Sequence, residues 1–300
     1  MQHRDSSRKW SSGSATASQA AASPAGMPQT GTAPGAHRGH AMAESFGATE
    51  RTDNWWLAPL VQAIALSVLG IYATWAAFQG NHYLYEGNGS HYLSPFYSPV
   101  IKPAWLPSWF SPALLILWAP LGFRATCYYY RKAYYRAFFA DPVACAVGEP
   151  RKGYCGELKF PFILQNLHRY FLYVALLFLI VLWWDVVKAF TFNGSQLGIG
   201  VGSLAILAST TSLTLYTFSC HSLRHLIGGK LDCFSCAVAG GPRYRGWGWV
   251  SFLNGHHMGF AWWSLFFVCF ADFYVRMVSM GIWQDLHFLP EFNVPTPIGM

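Results

Sequence analysis

The residues able to do chemistry in this chain are cysteines and histidines. It has seven cysteines (Cys127, Cys145, Cys155, Cys220, Cys233, Cys236 and Cys269) and 11 histidines in 300 residues. Several of them fall in compact groups. His168 stands in Gln165-Asn166-Leu167-His168-Arg169-Tyr170, and His221 and His225 stand in Cys220-His221-Ser222-Leu223-Arg224-His225. His256 and His257 are adjacent. Thiolate and imidazole ligands suit zinc, copper and iron, including iron–sulfur clusters. Two metal readings follow. One is a mixed Cys/His site of the Rieske type, in which a [2Fe–2S] cluster is held by two Cys and two His. The other is a b-type haem, which needs two axial imidazoles on facing helices, such as His168 and His257. Cys233-Phe234-Ser235-Cys236 is a separate CxxC signal that can bind metal or undergo redox exchange. The sequence holds no second CxxC, so a zinc ribbon is not supported.

Any such site must be positioned by membrane-spanning helices. Charged residues make up 11% of the chain, against about 25% in a soluble domain. None occurs between Asp53 and Glu86, Lys102 and Arg124, Arg169 and Asp185, Lys188 and Arg224, or Arg245 and Asp272. An apolar stretch of about 20 residues crosses the hydrocarbon core as a helix. The expected fold is therefore an all-α integral membrane bundle of five transmembrane helices, near 55–79, 111–135, 164–190, 197–224 and 248–279. The third must tolerate Asp185 and Lys188 near one end. Residues 1–50, rich in Ala, Ser, Gly, Thr and Pro, bury too little to offset their chain entropy and read as a disordered tail. The domain reading is thus a tail over 1–50, a five-helix anchor over 51–285 and an external tail over 286–300. The 80–110 loop carries Pro95, Pro99, Pro103 and Pro107 among many aromatic residues, and reads as a segment lying flat at the interface.

Lys and Arg mark cytoplasmic loops. With the N-terminus cytoplasmic and the C-terminus outside, segments 1–54, 120–169 and 221–250 face inward. They hold all 20 Lys and Arg residues except Lys102, Lys188 and Arg276. The protein is expected in the cell membrane as a multi-pass chain whose basic charge serves topology and anionic lipid, not nucleic acid. Cys127 and Cys220 then come late in inward-running helices, and His168 and His257 come early in outward-running ones. All four sit at similar depth in the inner leaflet, and His221 and His225 share a helix face. Ligands from several facing helices are how bundles hold cofactors. The outer half offers His82, His91 and His287 in loops, so no outer haem is expected. Six cysteines fall on the reducing side, where structural disulfides are not expected. Cys269 reads as packing. Asp185, Lys188, Asp272 and Arg276 are ionisable groups near the outer face, where such groups are usually paired. They motivate the competing reading of a non-redox transporter, although no internal repeat is read across the five spans. A third reading is a purely structural anchor that carries no metal.

The stretches Pro120-Leu121-Gly122-Phe123-Arg124-Ala125-Thr126-Cys127-Tyr128-Tyr129-Tyr130-Arg131-Lys132, Gln165 to Tyr170, Cys220 to Gly229 and His257-Met258-Gly259-Phe260-Ala261-Trp262 resemble the membrane anchor subunit of actinobacterial-type succinate dehydrogenase. The resemblance covers about 55–285. It implies a five-helix, cytochrome b-like anchor in the respiratory chain and tricarboxylic acid cycle. On its cytoplasmic face it would dock a flavoprotein subunit bearing FAD and an iron–sulfur subunit. Electrons from succinate would pass through iron–sulfur clusters to a quinone, expected to be menaquinone. It also implies a membrane-embedded Rieske-type [2Fe–2S] cluster, with haem b as the alternative. The ligand candidates are Cys127, His168, Cys220, His221, His225 and His257, with Cys145, Cys233 and Cys236 open for a second thiolate. Gln165, Arg169 and Tyr170, with Arg124 as an alternative, are the quinone-site candidates, and the basic loop 124–169 is the docking surface.

Overall fold

The computed structural model describes residues 45–87, 89–140, 143–150, 160, 162–193, 196–229, 231, 233–288 and 292–293. The tail up to residue 44, Cys155, Arg151, Lys152, Lys159, Lys230 and most of the expected external tail lie outside the described residues.

Among the described residues, four helices are long and apolar enough to cross a membrane. They are α1 (Leu57–Gln79), α4 (His168–Phe190), α5 (Val201–Phe218) and α8 (His257–Ser279). The apolar span around α4 begins at Ile163, because a 3-10 turn (Phe162–Leu167) leads into it. In α1 only Ala76 and Ala77 are buried, while Leu60, Val61, Ile64, Val68 and Ile71 stand outward. A helix this apolar and this exposed is stable only with lipid around it. It stops at Gly80, whose φ of 66° is the left-handed conformation that glycine adopts without steric cost.

The second expected span, 111–135, is not one helix. It is a 3-10 turn (Pro112–Leu115), α2 (Trp118–Thr126) and α3 (Tyr128–Tyr134), followed by a π turn (Tyr135–Phe139). The break falls at Cys127, whose ψ of 127° is extended, so its backbone leaves the helical path. Upstream, Pro112 and Pro120 lack the N–H that a continuous helix would use. Expected span 4 is similarly divided at Cys220 into α5 and α6 (His221–Gly228). Expected span 5 begins as α7 (Gly240–Gly255), which turns at His256 before α8.

The first part of the segment after α1, residues 84–98, folds onto the bundle. Strands β1 (Leu84–Gly87) and β2 (Ser90–Leu93) pair antiparallel, with Leu84 opposite Leu93. The buried residues that follow, Ser94, Phe96, Tyr97 and Ser98, plug one end of the bundle. Tyr92 packs its ring where a Cβ on Gly202 would lie, within 2.3 Å, so only glycine fits there. The Tyr92 hydroxyl donates to Asp285 at 2.6 Å. Burial and that carboxylate push its phenol pKa upward, so it stays a donor.

The same plug supplies the partners of the membrane carboxylates. Ser98 Oγ donates to Asp185, and Ser94 Oγ donates to Asp272. Asp272 also accepts from Tyr72 Oη at 2.6 Å and from Arg276 Nε at 3.0 Å within its own helix. Arg276 donates further to the carbonyls of Ala76 at 2.9 Å and Asn81 at 3.0 Å. These contacts tie α1, the hairpin and α8 together at one end.

Strands β3 (Thr191–Phe192), β4 (Gln196–Leu197) and β5 (Phe292–Asn293) form a small sheet at that same end. The described part of the expected C-terminal tail is therefore paired backbone. At the other end of the chain, residues 45–50, expected as tail, pair with 146–148 through Gly47 N to Gly148 O and Gly148 N to Ala48 O.

Candidate functional site

At the break points of the two divided helices, four of the candidate ligands meet. His168 Nε2 lies 3.1 Å from Cys220 Sγ, and His257 Nε2 lies 3.4 Å from Cys127 Sγ. Both sulfurs are buried free thiols. The histidines open α4 and α8, and each cysteine sits where α2 or α5 ends, so helix direction sets their common level. Close approach of α2 and α4 depends on Gly122, where a Cβ would lie 2.2 Å from the Phe171 ring.

Each imidazole is held at its second nitrogen. His168 Nδ1 is 2.9 Å from Thr126 Oγ1, whose own proton goes to the Gly122 carbonyl at 2.7 Å. His257 Nδ1 is 2.7 Å from Ser219 Oγ, whose proton goes to the Tyr216 carbonyl at 2.9 Å. With each hydroxyl proton on its helix carbonyl, the oxygen is left to accept and Nδ1–H donates to it. Nε2 is left as a lone pair facing sulfur. Each ring is also stacked on an aromatic side chain, His168 on Phe123 at 4.6 Å and His257 on Tyr216 at 5.0 Å between centroids.

The two halves of the site repeat one another. Phe123-Arg124-Ala125-Thr126-Cys127 corresponds to Tyr216-Thr217-Phe218-Ser219-Cys220, and Arg131 and Arg224 stand at the same offset beyond. Both cysteines have φ −65° with ψ of 127° and 137°, and each N–H donates to the carbonyl three residues back. Each half then continues to a 23-residue helix that begins with histidine. This is an internal repeat that the reading of whole spans does not expose. Thr126, Ser219, Phe123 and Tyr216 are absent from the sequence-derived candidates. The signal that could have found them is the hydroxyl–cysteine dipeptide at the ends of α2 and α5.

The remaining candidates lie elsewhere. His221 is exposed, and His225 accepts from Arg169 Nη2 at 2.7 Å, so neither bonds to the sulfurs. Cys233 and Cys236 are bonded to each other as a disulfide, against the expectation of free thiols, and offer no thiolate ligand in that state. Four residues of turn bring the two sulfurs together whatever the compartment. Cys145 lies on the segment whose carbonyl accepts from Arg51. Cys269 packs among Ala76, Ala77, Phe96 and Val268. Among the described residues, no three His, Cys, Asp or Glu side chains converge closely enough to hold one metal ion. The four donors instead form two Cys–His pairs.

The quinone-site candidates also separate. Tyr170 is 66% exposed in the first turn of α4, and Gln165 Nε2 reaches the Ala125 carbonyl at 3.4 Å. Arg124 points the other way, to Tyr130 Oη, Ser264 Oγ at 3.0 Å and the Ala261 carbonyl at 3.4 Å. There it lines an apolar cavity of about 390 Å³ between α1, α2, α4, α5 and α8. Leu69, Phe96, Leu117, Phe178 and Val268 form its walls, and Arg124, Tyr216 and Thr217 are polar residues among them. The guanidinium of Arg124 lies 5.0 Å from the Tyr216 ring. Tyr216 Oη is buried, with no oxygen or nitrogen hydrogen-bond partner among the described residues, and lies toward the Cys127 thiol.

Comparisons with known proteins agree with this layout. A family described as actinobacterial succinate dehydrogenase subunit SdhC matches residues 57–281. A chain of the Mycobacterium smegmatis Sdh1 complex in the apo form is similar in structure, with a TM-score of 0.73 and 44% identity. That match covers 81% of this chain and 94% of the other. Comparison with curated protein sequences finds no match.

Proposed function

This chain belongs to the family of the actinobacterial succinate dehydrogenase subunit SdhC, and from that premise we propose that it carries electrons to a quinone through a binuclear centre on Cys127, His168, Cys220 and His257. As a membrane subunit of a succinate dehydrogenase complex it has a flavoprotein and an iron–sulfur subunit as partners. The observation that carries the electron-transfer reading is the pair of contacts His168 Nε2–Cys220 Sγ and His257 Nε2–Cys127 Sγ, at 3.1 and 3.4 Å. Two thiols and two imidazoles are the donor set of a Rieske-type [2Fe–2S] cluster. A haem fits less well, because each Nε2 faces a sulfur from which a haem iron would have to approach. When bound, such a centre supplies a one-electron carrier.

The chain's own residues do the rest. The cavity beside Tyr216 takes the ring and apolar tail of menaquinone, and its walls exclude water. Tyr216 lines the cavity with its ring resting on His257, and its hydroxyl, which lies toward the Cys127 thiol, turns to donate to a quinone carbonyl. Arg124 holds positive charge at the same end, anchored by Ser264 and Tyr130. This moves the quinone site inward from Gln165, Arg169 and Tyr170.

The stretch 111–127 makes the fifth crossing in broken form. Ser111 Oγ bonds Tyr97 Oη, which donates to the Ala76 carbonyl that Arg276 also reaches, whereas Cys127 meets His257 at the opposite end of α8. Segment 124–169 faces the cytoplasm with the N-terminus and docks the iron–sulfur subunit, while the C-terminus is outside.

Electron paramagnetic resonance of the purified, reduced complex tests the proposal. An anisotropic [2Fe–2S] signal that disappears in Cys220→Ser supports it. A signal unchanged in that variant, or a haem band assigned to this chain, overturns it.

A further inference from the structure

We propose that Thr126 and Ser219 are paired positioning residues, each fixing one histidine as its Nδ1–H tautomer so that two equivalent half-sites present Nε2 to the centre. The inference rests on the binuclear reading above and concerns residues that do not themselves touch a metal.

The geometry carries it. Thr126 Oγ1 donates to the Gly122 carbonyl at 2.7 Å and Ser219 Oγ donates to the Tyr216 carbonyl at 2.9 Å. With the hydroxyl protons committed to the helix, each oxygen offers lone pairs alone, and Nδ1–H of the histidine fills one at 2.9 or 2.7 Å. The opposite nitrogen is then the basic one. Ligating histidines commonly have the second nitrogen held in this way by an acceptor that fixes ring orientation.

Coincidence at one histidine would be an ordinary helix-end contact. Here the contact occurs twice, from the residue immediately before each cysteine, with an aromatic ring three residues earlier stacked on the same histidine. The halves are also interlocked. Thr126 and His168 come from one half, yet His168 faces Cys220 of the other, and Ser219 holds His257 against Cys127. Neither half can close the site by itself. Ser219 is further tied by its carbonyl, which accepts from Asn254 Nδ2 at 2.8 Å, so α7 helps fix its position.

The test uses the purified complex with Thr126→Val, Ser219→Ala and both together, beside Thr126→Ser and Ser219→Thr. Iron retention against a chelator and the resonance spectrum of the reduced complex are the readouts. The loss of such an outer partner costs about 10- to 100-fold in metal affinity, so each single variant should lose iron correspondingly faster and shift its g-values. The double variant should lose more, and the two hydroxyl-retaining exchanges should match the parent. Assembly with the partner subunits, equal in Thr126→Ser and Thr126→Val, separates positioning from folding. Parent-like iron retention and spectrum in Thr126→Val and Ser219→Ala overturn this inference alone. An effect in one of them only overturns the equivalence of the halves. A parent complex without an iron signal from this chain overturns the binuclear reading and this inference with it.

Discussion

Cys127 Sγ and His257 Nε2 stand 3.4 Å apart across 130 positions of sequence. Buried polar groups are kept when they are paired or when they serve a site. Here the pairing is a weak sulfur contact, which stabilises little, and the proposed ligand role is what the pair is tested for.

The four-residue donor set makes a selective expectation. Cys127→Ser, Cys220→Ser, His168→Ala and His257→Ala should each abolish the iron signal and quinone reduction. His221→Ala and His225→Ala should retain the signal, because His221 is exposed and His225 is engaged with Arg169. Iron quantification and electron paramagnetic resonance across the six variants check this. A signal lost in His225→Ala but kept in His257→Ala would reassign the ligands.

Gly122 fixes the distance between α2 and α4. Gly122→Val should destabilise the subunit by about 1–3 kcal/mol through overpacking, since even the first carbon would sit 2.2 Å from the Phe171 ring. The displaced α4 should also pull His168 from Cys220 and broaden the iron signal. Adding Phe171→Ala should recover part of both losses. Thermal unfolding of the detergent-solubilised complex and its spectrum read the two effects separately.

The common level of Cys127, His168, Cys220 and His257 was legible because the spans alternate in direction, and direction sets which cysteines and histidines share a depth. Side-chain aim was not legible. His221 and His225 do share one face of α6, but that face turns toward Arg169 and solvent. The broken second span was hidden because apolar composition is the same for a continuous helix and for two helices joined at an extended Cys127. The repeat was hidden because it keeps chemical class, Phe with Tyr and Thr with Ser, while the connections to His168 and His257 differ in length. The hairpin 84–93 escaped because its pairing depends on Tyr92 packing over Gly202, a contact far away in sequence.

Tyr216 separates the cavity from His257. Tyr216→Phe removes one donor while keeping the ring stack, so iron content should be unchanged. A net hydrogen bond contributes about 0.5–1.5 kcal/mol, so KM for a menaquinone analogue should rise about 2- to 13-fold, with a smaller change in kcat. Steady-state kinetics with a short-tailed analogue check this. An unchanged KM would place the quinone elsewhere.

The far end of the bundle makes an independent expectation. Asp272 is wholly buried and accepts from Tyr72, Ser94 and Arg276. Arg276→Met removes the compensating charge and leaves a carboxylate among apolar side chains, which costs about 3–5 kcal/mol when a buried pair is broken from one side. Arg276 also satisfies the Ala76 and Asn81 carbonyls, so the loss should extend to the seam between α1 and α8. Asp272→Asn with Arg276→Met removes both charges and should be less harmful than Arg276→Met alone. If these groups served transport instead, the double variant would abolish function without altering stability. Thermal unfolding together with succinate:quinone activity distinguishes the cases. Lower stability with normal turnover per folded complex is the outcome expected of a structural pair.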